Sequence, residues 1–199
     1  MILRCTAKAL DLLGGRRLEL TESTPTDDDW YLNLLWVDRK KCLLLTHAGT
    51  LFSVFVAGVR KADLVPVGHY IVNAVTAELR AEGLPTDALG RLDPDGIRLG
   101  RTASRSVLGF MNDIAAHCRY QVAHEGGLDQ TDMGALNHGL RRTLHNQRGY
   151  TPTRSNGSPS GSMHTRRALL GTGEGPATAA KTEKSDLLAV VPSPAIVVP

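Results

Sequence analysis

The most constraining part of the chain is residues 30–56, where three β-rich segments are separated only by short polar turns. Trp30-Tyr31-Leu32-Asn33-Leu34-Leu35-Trp36-Val37 places Trp30, Leu32, Leu34 and Trp36 on one side of a strand. Asp38-Arg39-Lys40-Lys41 reads as a turn and residues 42–46 as the return strand. Ala48-Gly49 then leads tightly into a third strand over residues 50–56. Links this short join antiparallel neighbours, so the sequence predicts an antiparallel meander. Both faces carry apolar residues, and other elements must therefore cover much of the sheet.

Helical periodicity supplies the cover. Residues 1–5 are a short apolar strand candidate, after which Thr6 can cap a helix carrying Ala9, Leu10, Leu12 and Leu13 until Gly14-Gly15 stops it. Residues 21–29 read as an exposed loop. From Pro66 onward Ile71, Val75 and Leu79 form a helical stripe ending at Gly83. Residues 84–96 are loop-like, and 97–101 allow one more strand. Ser104 or Ser106 can cap a longer helix with Val107, Met111, Ile114, Cys118 and Val122 on its apolar face, stopped by Gly126-Gly127. Asp129 or Thr131 can cap a last helix with Met133, Leu136, Leu140 and Leu144 at helical spacing. Strands early and helices late define an α+β domain, an antiparallel β-meander packed with three to four helices.

Composition sets the limit of that domain. All nine aromatic residues lie at or before Tyr150, whereas six of the ten prolines follow it, beside the run Ser155-Asn156-Gly157-Ser158-Pro159-Ser160-Gly161-Ser162. Such a segment cannot bury enough apolar surface to offset its ordering entropy. Residues 1–150 are thus predicted to fold, and 151–199 to form a low-complexity, disordered tail. The tail carries a net charge of +2 and the first 150 residues only +1. The sequence pI near 8.9 therefore does not describe a strongly basic domain, and long-range capture of a polyanion is not indicated. Cys5, Cys42 and Cys118 show no zinc-ligand spacing and read as buried thiols in a reducing compartment. The first residues lack the pattern of a signal peptide, and no apolar run reaches the roughly 20 residues that span a bilayer, so a cytoplasmic location is expected.

Several pieces together resemble a known family. They are Met1-Ile2-Leu3-Arg4-Cys5-Thr6, Trp30 with Asn33-Leu34, Asp38-Arg39-Lys40-Lys41-Cys42, Thr50-Leu51-Phe52-Ser53, and Arg105-Ser106-Val107-Leu108-Gly109-Phe110-Met111-Asn112-Asp113. The chain looks like a family of small bacterial proteins catalogued as a domain of unknown function. The likeness covers about residues 1–150, with the stretch from Arg105 to Asp113 its most specific part, and the tail is outside it. The resemblance implies a bacterial, intracellular protein and brings no activity, cofactor or catalytic residue.

The chemically suggestive residues concentrate between 105 and 125. On a helix Asp113, His117, Tyr120 and His124 share one face. A carboxylate one turn from an imidazole can orient it as a general base, and Asp113, His117 and His124 are weak candidates for a metal. The same spacing serves the solvent-facing stripe that any amphipathic helix needs, and this plainer reading carries more weight. Arg105 near the helix start, with Asn112, could bind an anion such as phosphate, or Arg105 could pair with Asp113 or a loop carboxylate as a structural clamp. Arg141, Arg142 and Arg148, with His145, form a basic patch that could contact nucleic acid, although cations at a helix C-terminus follow from the dipole alone. His47 and His69 are isolated, and Gly171-Thr172-Gly173-Glu174-Gly175 lacks the Lys-Ser/Thr of a phosphate loop.

No complete catalytic constellation emerges, and the sequence calls for no cofactor. The expectation is a non-catalytic cytoplasmic module binding a protein or nucleic-acid partner, in a setting that excludes the membrane. The alternative is a small enzyme, with or without a metal, acting on a phosphate-containing substrate through Arg105, Asn112, Asp113 and His117. Convergence of these side chains in a pocket would favour the enzyme, and their dispersal would favour the module.

Overall fold

The computed structural model describes residues 1–15 and 19–143. In chain order these form β1 (Ile2–Cys5), α1 (Ala7–Leu13), β2 (Leu20–Thr21), β3 (Trp30–Val37), β4 (Lys40–His47), β5 (Ser53–Val56), a 3-10 turn (Lys61–Leu64), α2 (Val67–Ala81), β6 (Arg98–Arg101), α3 (Arg105–His124) and α4 (Met133–Thr143). The expected tail, and Leu144 of the last helical stripe, lie outside the described residues.

The six strands make one sheet in the order β2-β6-β1-β3-β4-β5. The meander β3-β4-β5 is antiparallel, pairing Trp30 with His47 and Thr46 with Ser53. The other half is not: β1 runs parallel to both β3 and β6, and β2 runs parallel to β6. The sheet is therefore mixed rather than a purely antiparallel meander. The turns between β3, β4 and β5 are visible in the sequence. The pairing of β1 with strands 25 or more residues away is set by tertiary packing and leaves no local mark.

Local chemistry explains the boundaries. Asp38 and Arg39 both have positive φ, 47° and 60°, as a two-residue type I′ hairpin requires, so β4 begins at Lys40 rather than Cys42. The Asp38 carboxylate accepts the Leu128 N–H at 3.1 Å, which ties this hairpin to the end of α3. The chain can pass there because residue 127 is glycine. Its φ is +114°, and a Cβ would lie 3.0 Å from the Asp38 carboxylate. The following loop closes with the His47 N–H on the Phe52 carbonyl at 2.9 Å, which delays β5 to Ser53. Thr6 and Ser104 cap α1 and α3 through their side chains. At α4 the cap is Asp132, whose carboxylate accepts the Ala135 N–H at 3.0 Å, rather than Asp129 or Thr131.

Strand alternation divides the interior into two layers. Leu3, Cys5, Trp30, Leu32, Leu43, Leu45 and Val54 face α1 and α2, meeting Ala9, Leu10, Ile71, Val75 and Leu79. Tyr31, Leu35, Val37, Cys42, Leu44 and Phe55 face α3 and α4, meeting Met111, Ile114, Cys118, Leu136 and Leu140. Each fully buried side chain of this size contributes roughly 1.5–3 kcal/mol by leaving water. The helical stripes expected from the sequence are the buried faces of α1, α2 and α3. One exception lies on β3: Trp36 keeps the side of Trp30 but extends past the helical cover and is 56% exposed.

Candidate functional site

The candidates on α3 are spread along its outer side. Arg105, Asn112, Asp113 and His124 are exposed and His117 is half-buried, opposite the buried Val107, Met111, Ile114, Cys118 and Val122. The Tyr120 and His124 rings stack with an interplanar angle of 4° and centroids 6.0 Å apart. Among the described residues, Arg105, Asn112, Asp113 and His117 make no side-chain hydrogen bond or ion pair with one another, and no group of three or more His, Cys, Asp or Glu could hold a metal ion. At 1.5 Å of rise per residue, Asp113 and His117 stand about 12 and 18 Å along the axis from Arg105. One small substrate group cannot touch all three.

The basic patch divides. Arg142 is exposed, whereas Arg141 is buried against α2 and the sheet. Its guanidinium donates to Glu78 at 3.0 Å, to Glu82 at 2.6 and 3.1 Å and to the Ser53 carbonyl at 3.4 Å, and it lies 4.9 Å from the centroid of Phe52. One turn earlier on α4, Asn137 accepts the Phe55 N–H at 2.7 Å and donates to the Phe55 carbonyl at 3.0 Å and to Glu78 at 3.0 Å. Together these side chains bond to the backbone of β5, one of the two edge strands of the sheet. Burial of Glu82 would raise its pKa, but hydrogen bonds from Arg141 and His138 outweigh this and hold the carboxyl below its ordinary range. Arg141 is thus part of the edge seal and adds nothing to an exposed basic face. Arg148 and His145 lie outside the described residues.

A second arginine cluster, unmarked in the sequence reading, sits at the carboxyl ends of the parallel strands. Arg4 and Asp29 form an ion pair at 2.5 Å, with each side chain only 3% exposed. Arg4 also donates to the Ser23 carbonyl at 2.9 Å, the Ser23 hydroxyl at 3.2 Å and the Arg101 carbonyl at 3.3 Å. Asp29 accepts the Thr26 N–H and hydroxyl, both at 3.1 Å. Beside this pair a cavity of about 470 Å³ opens between residues 20–25 and residues 101–103. The available signal was an arginine inside an apolar strand and an aspartate directly before Trp30. Neither names its partner.

A groove of about 510 Å³ lies at the opposite end of β3, lined by Trp36, Asp38, Arg119, Val122 and the Gly126-Gly127 turn. The Lys41 ammonium stands 5.7 Å from the Trp36 ring centroid, within range of a cation–π attraction. Lys40 pairs with Asp129 at 2.5 Å at the nearby surface.

His47, His69 and the three cysteines line neither hollow. His47 is buried against Trp30, centroids 5.2 Å apart, with Nδ1 accepting the Thr50 N–H at 3.3 Å; burial lowers its pKa. Its Nε2 and the Trp30 Nε1 have no partner among the described residues. His69 pairs with Asp95 at 3.2 Å on the surface. The three cysteines are unpaired and buried, as the spacing implied, and burial pushes the Cys5 and Cys118 thiols up to about 12.

A six-stranded mixed sheet between two pairs of helices, with one cavity at its parallel strand ends and one groove beside a hairpin tryptophan, defines a three-layer α/β protein. Its catalytic candidates lie outside both hollows. The chain belongs to the family described as Domain of unknown function (DUF6933), whose model matches residues 2–154. No curated protein and no solved structure matches it.

Proposed function

We propose that the protein is a non-catalytic binding module that engages a nucleic-acid or protein partner through the groove beside Trp36. The observation that carries this reading is Trp36 itself, a large apolar ring left 56% exposed, with the Lys41 ammonium beside it and Arg119 lining the adjoining groove. An exposed aromatic face beside cations suits stacking of an unpaired base while neighbouring phosphates meet the charges. A short single strand is therefore favoured over a protein segment. The charge on the domain is small, so the affinity comes from this local patch. Among the described residues no helix is long and apolar enough to cross a membrane, and the buried unpaired thiols fit the bacterial cytoplasmic setting expected from the sequence.

The competing reading is a small enzyme working on a phosphate-containing substrate through Arg105, Asn112, Asp113 and His117. The separation of these residues along α3 weighs against it. Titrating the protein with a short single-stranded oligonucleotide, read by tryptophan emission, tests both. Binding should quench Trp36, leave buried Trp30 as an internal reference, and disappear in Trp36→Ala. With Lys41 and Arg119 as the phosphate contacts, log K should fall with log salt at a slope of about −1.4. If the oligonucleotide leaves the emission unchanged while an acidic peptide quenches it, the partner is a protein. Phosphate-ester hydrolysis that is lost in His117→Ala would replace the module with the enzyme.

A further inference from the structure

We infer that the cavity at the carboxyl ends of β1 and β6 is a binding site for a small molecule bearing a phosphate group. The inference stands apart from the Trp36 reading, because it concerns the other end of the sheet. Strands β1 and β6 are parallel neighbours, paired from Ile2 with Arg98 to Cys5 with Arg101. After β1 the chain turns into α1, which packs on the Trp30 side; after β6 it turns into α3, which packs on the Tyr31 side. Two adjacent parallel strands whose connections leave to opposite faces open a crevice between them. In α/β sheets this is where ligands bind.

Here the crevice is a real hollow of about 470 Å³, enough for a mononucleotide-sized ligand. Its chemistry suits an oxyanion. Arg101 lines it, is exposed, and has no ion-pair partner among the described residues, so its guanidinium fork is available for two parallel hydrogen bonds. Ser23, Thr24 and Thr102, three hydroxyl-bearing residues, line the same space. Directly after it, α3 begins: the Ser104 N–H goes to the Tyr31 hydroxyl at 3.2 Å and the Val107 N–H to the Ser104 hydroxyl at 3.4 Å. The Arg105 and Ser106 N–H groups have no acceptor among the described residues, and the positive end of a 20-residue helix favours an anion there. The buried Arg4 gives the site its rigidity. Its bonds to Ser23 and to the Arg101 carbonyl hold both rims, while Asp29 neutralises it, so it anchors the walls and leaves Arg101 to take the ligand. Among the described residues Glu22, exposed at the rim, is the one lining carboxylate, and its repulsion is open to solvent screening.

The test is a titration of the full chain with inorganic phosphate and, separately, with adenosine monophosphate and acetate, followed by amide shifts. Phosphate should give saturable shifts confined to residues 21–25 and 101–106, and the nucleotide should give the same shifts with tighter binding. Arg101→Gln should weaken phosphate binding by roughly tenfold or more, the loss of a charge-assisted hydrogen bond, with unchanged thermal melting. Arg101→Lys, which keeps the charge without the fork, should lose less, and Glu22→Gln should bind more tightly. Shifts scattered over all basic surfaces, an Arg101→Gln variant that binds like the parent, or an equal response to acetate would each overturn the assignment.

Discussion

Arg4 and Arg141 are both buried arginines paired with carboxylates, yet they shape their surroundings in opposite ways. Arg141 links α4 to the end of α2, taking Glu78 of α2 and Glu82 just past it, and lies on Phe52. With Asn137 it takes up the N–H and carbonyl of Phe55 and the carbonyl of Ser53 on β5, an edge strand of the sheet. Arg4 reaches one carboxylate and then three oxygens of loop and strand end, holding apart two segments that leave the sheet in different directions. The same side chain seals an edge strand in one place and holds apart the ends of interior strands in the other. Burial of an arginine is therefore no guide to function until the route of the chain around it is known.

The sharpest way to break this comparison is to unpair the open side. Asp29→Ala leaves a buried guanidinium without its counter-charge, and the expected loss is about 3–5 kcal/mol of folding stability, read by chemical denaturation. A loss below about 1 kcal/mol would mean that water replaces the carboxylate easily and that the rims are not rigid. At the closed side, Asn137→Leu orphans the N–H and carbonyl of Phe55. The expected cost is about 2–3 kcal/mol, accompanied by concentration-dependent self-association through the bared strand, measured by light scattering. An unchanged melting curve with no association would show that α4 covers the edge without its polar side chains.

The smallest effect is a pH dependence at His47, the last residue of β4. Burial holds the His47 pKa below its ordinary 6.5, against the opposing pull of Asp27, Asp28 and Asp29. The unfolded chain then binds more protons than the folded one between the lowered value and 6.5. Stability from this group is full above 6.5, declines as pH falls toward the folded value, and levels off below it. A urea midpoint followed from about pH 8 to about pH 5 should show this decline, and His47→Gln should flatten it. A midpoint that instead rises as pH falls would mean that the three aspartates dominate the imidazole.

Much of this framework is written in the sequence, because its signals are local. The Ile71/Val75/Leu79 and Val107/Met111/Ile114/Cys118 stripes are helix faces, and Thr6 marks a helix start through a hydrogen bond three residues long. The hairpin at Asp38-Arg39 is legible as a turn, though its two-residue length depends on Arg39 accepting a positive φ that its side chain does not advertise. What stays hidden is long in sequence. β2 is only Leu20–Thr21, and its pairing with Leu99 and Gly100 gives it no pattern of its own. Arg141 looks like any cation at a helix end until α2 brings Glu78 and Glu82 beside it. Asp113, His117 and His124 are the reverse case: their spacing is plain, but a shared face does not make a shared cavity.

The Asn137 bond to Phe55 spans 82 positions of chain, and during synthesis that separation becomes time. At ordinary translation rates the outermost strand emerges about 4–16 s before the residue that covers it. For that interval the growing polypeptide carries an unguarded strand border, the kind of surface that recruits chaperones or zips onto a sister nascent chain on the same messenger. Slowing the ribosome between these two points would lengthen the exposure and lower the yield of native protein, even though the finished molecule would be identical.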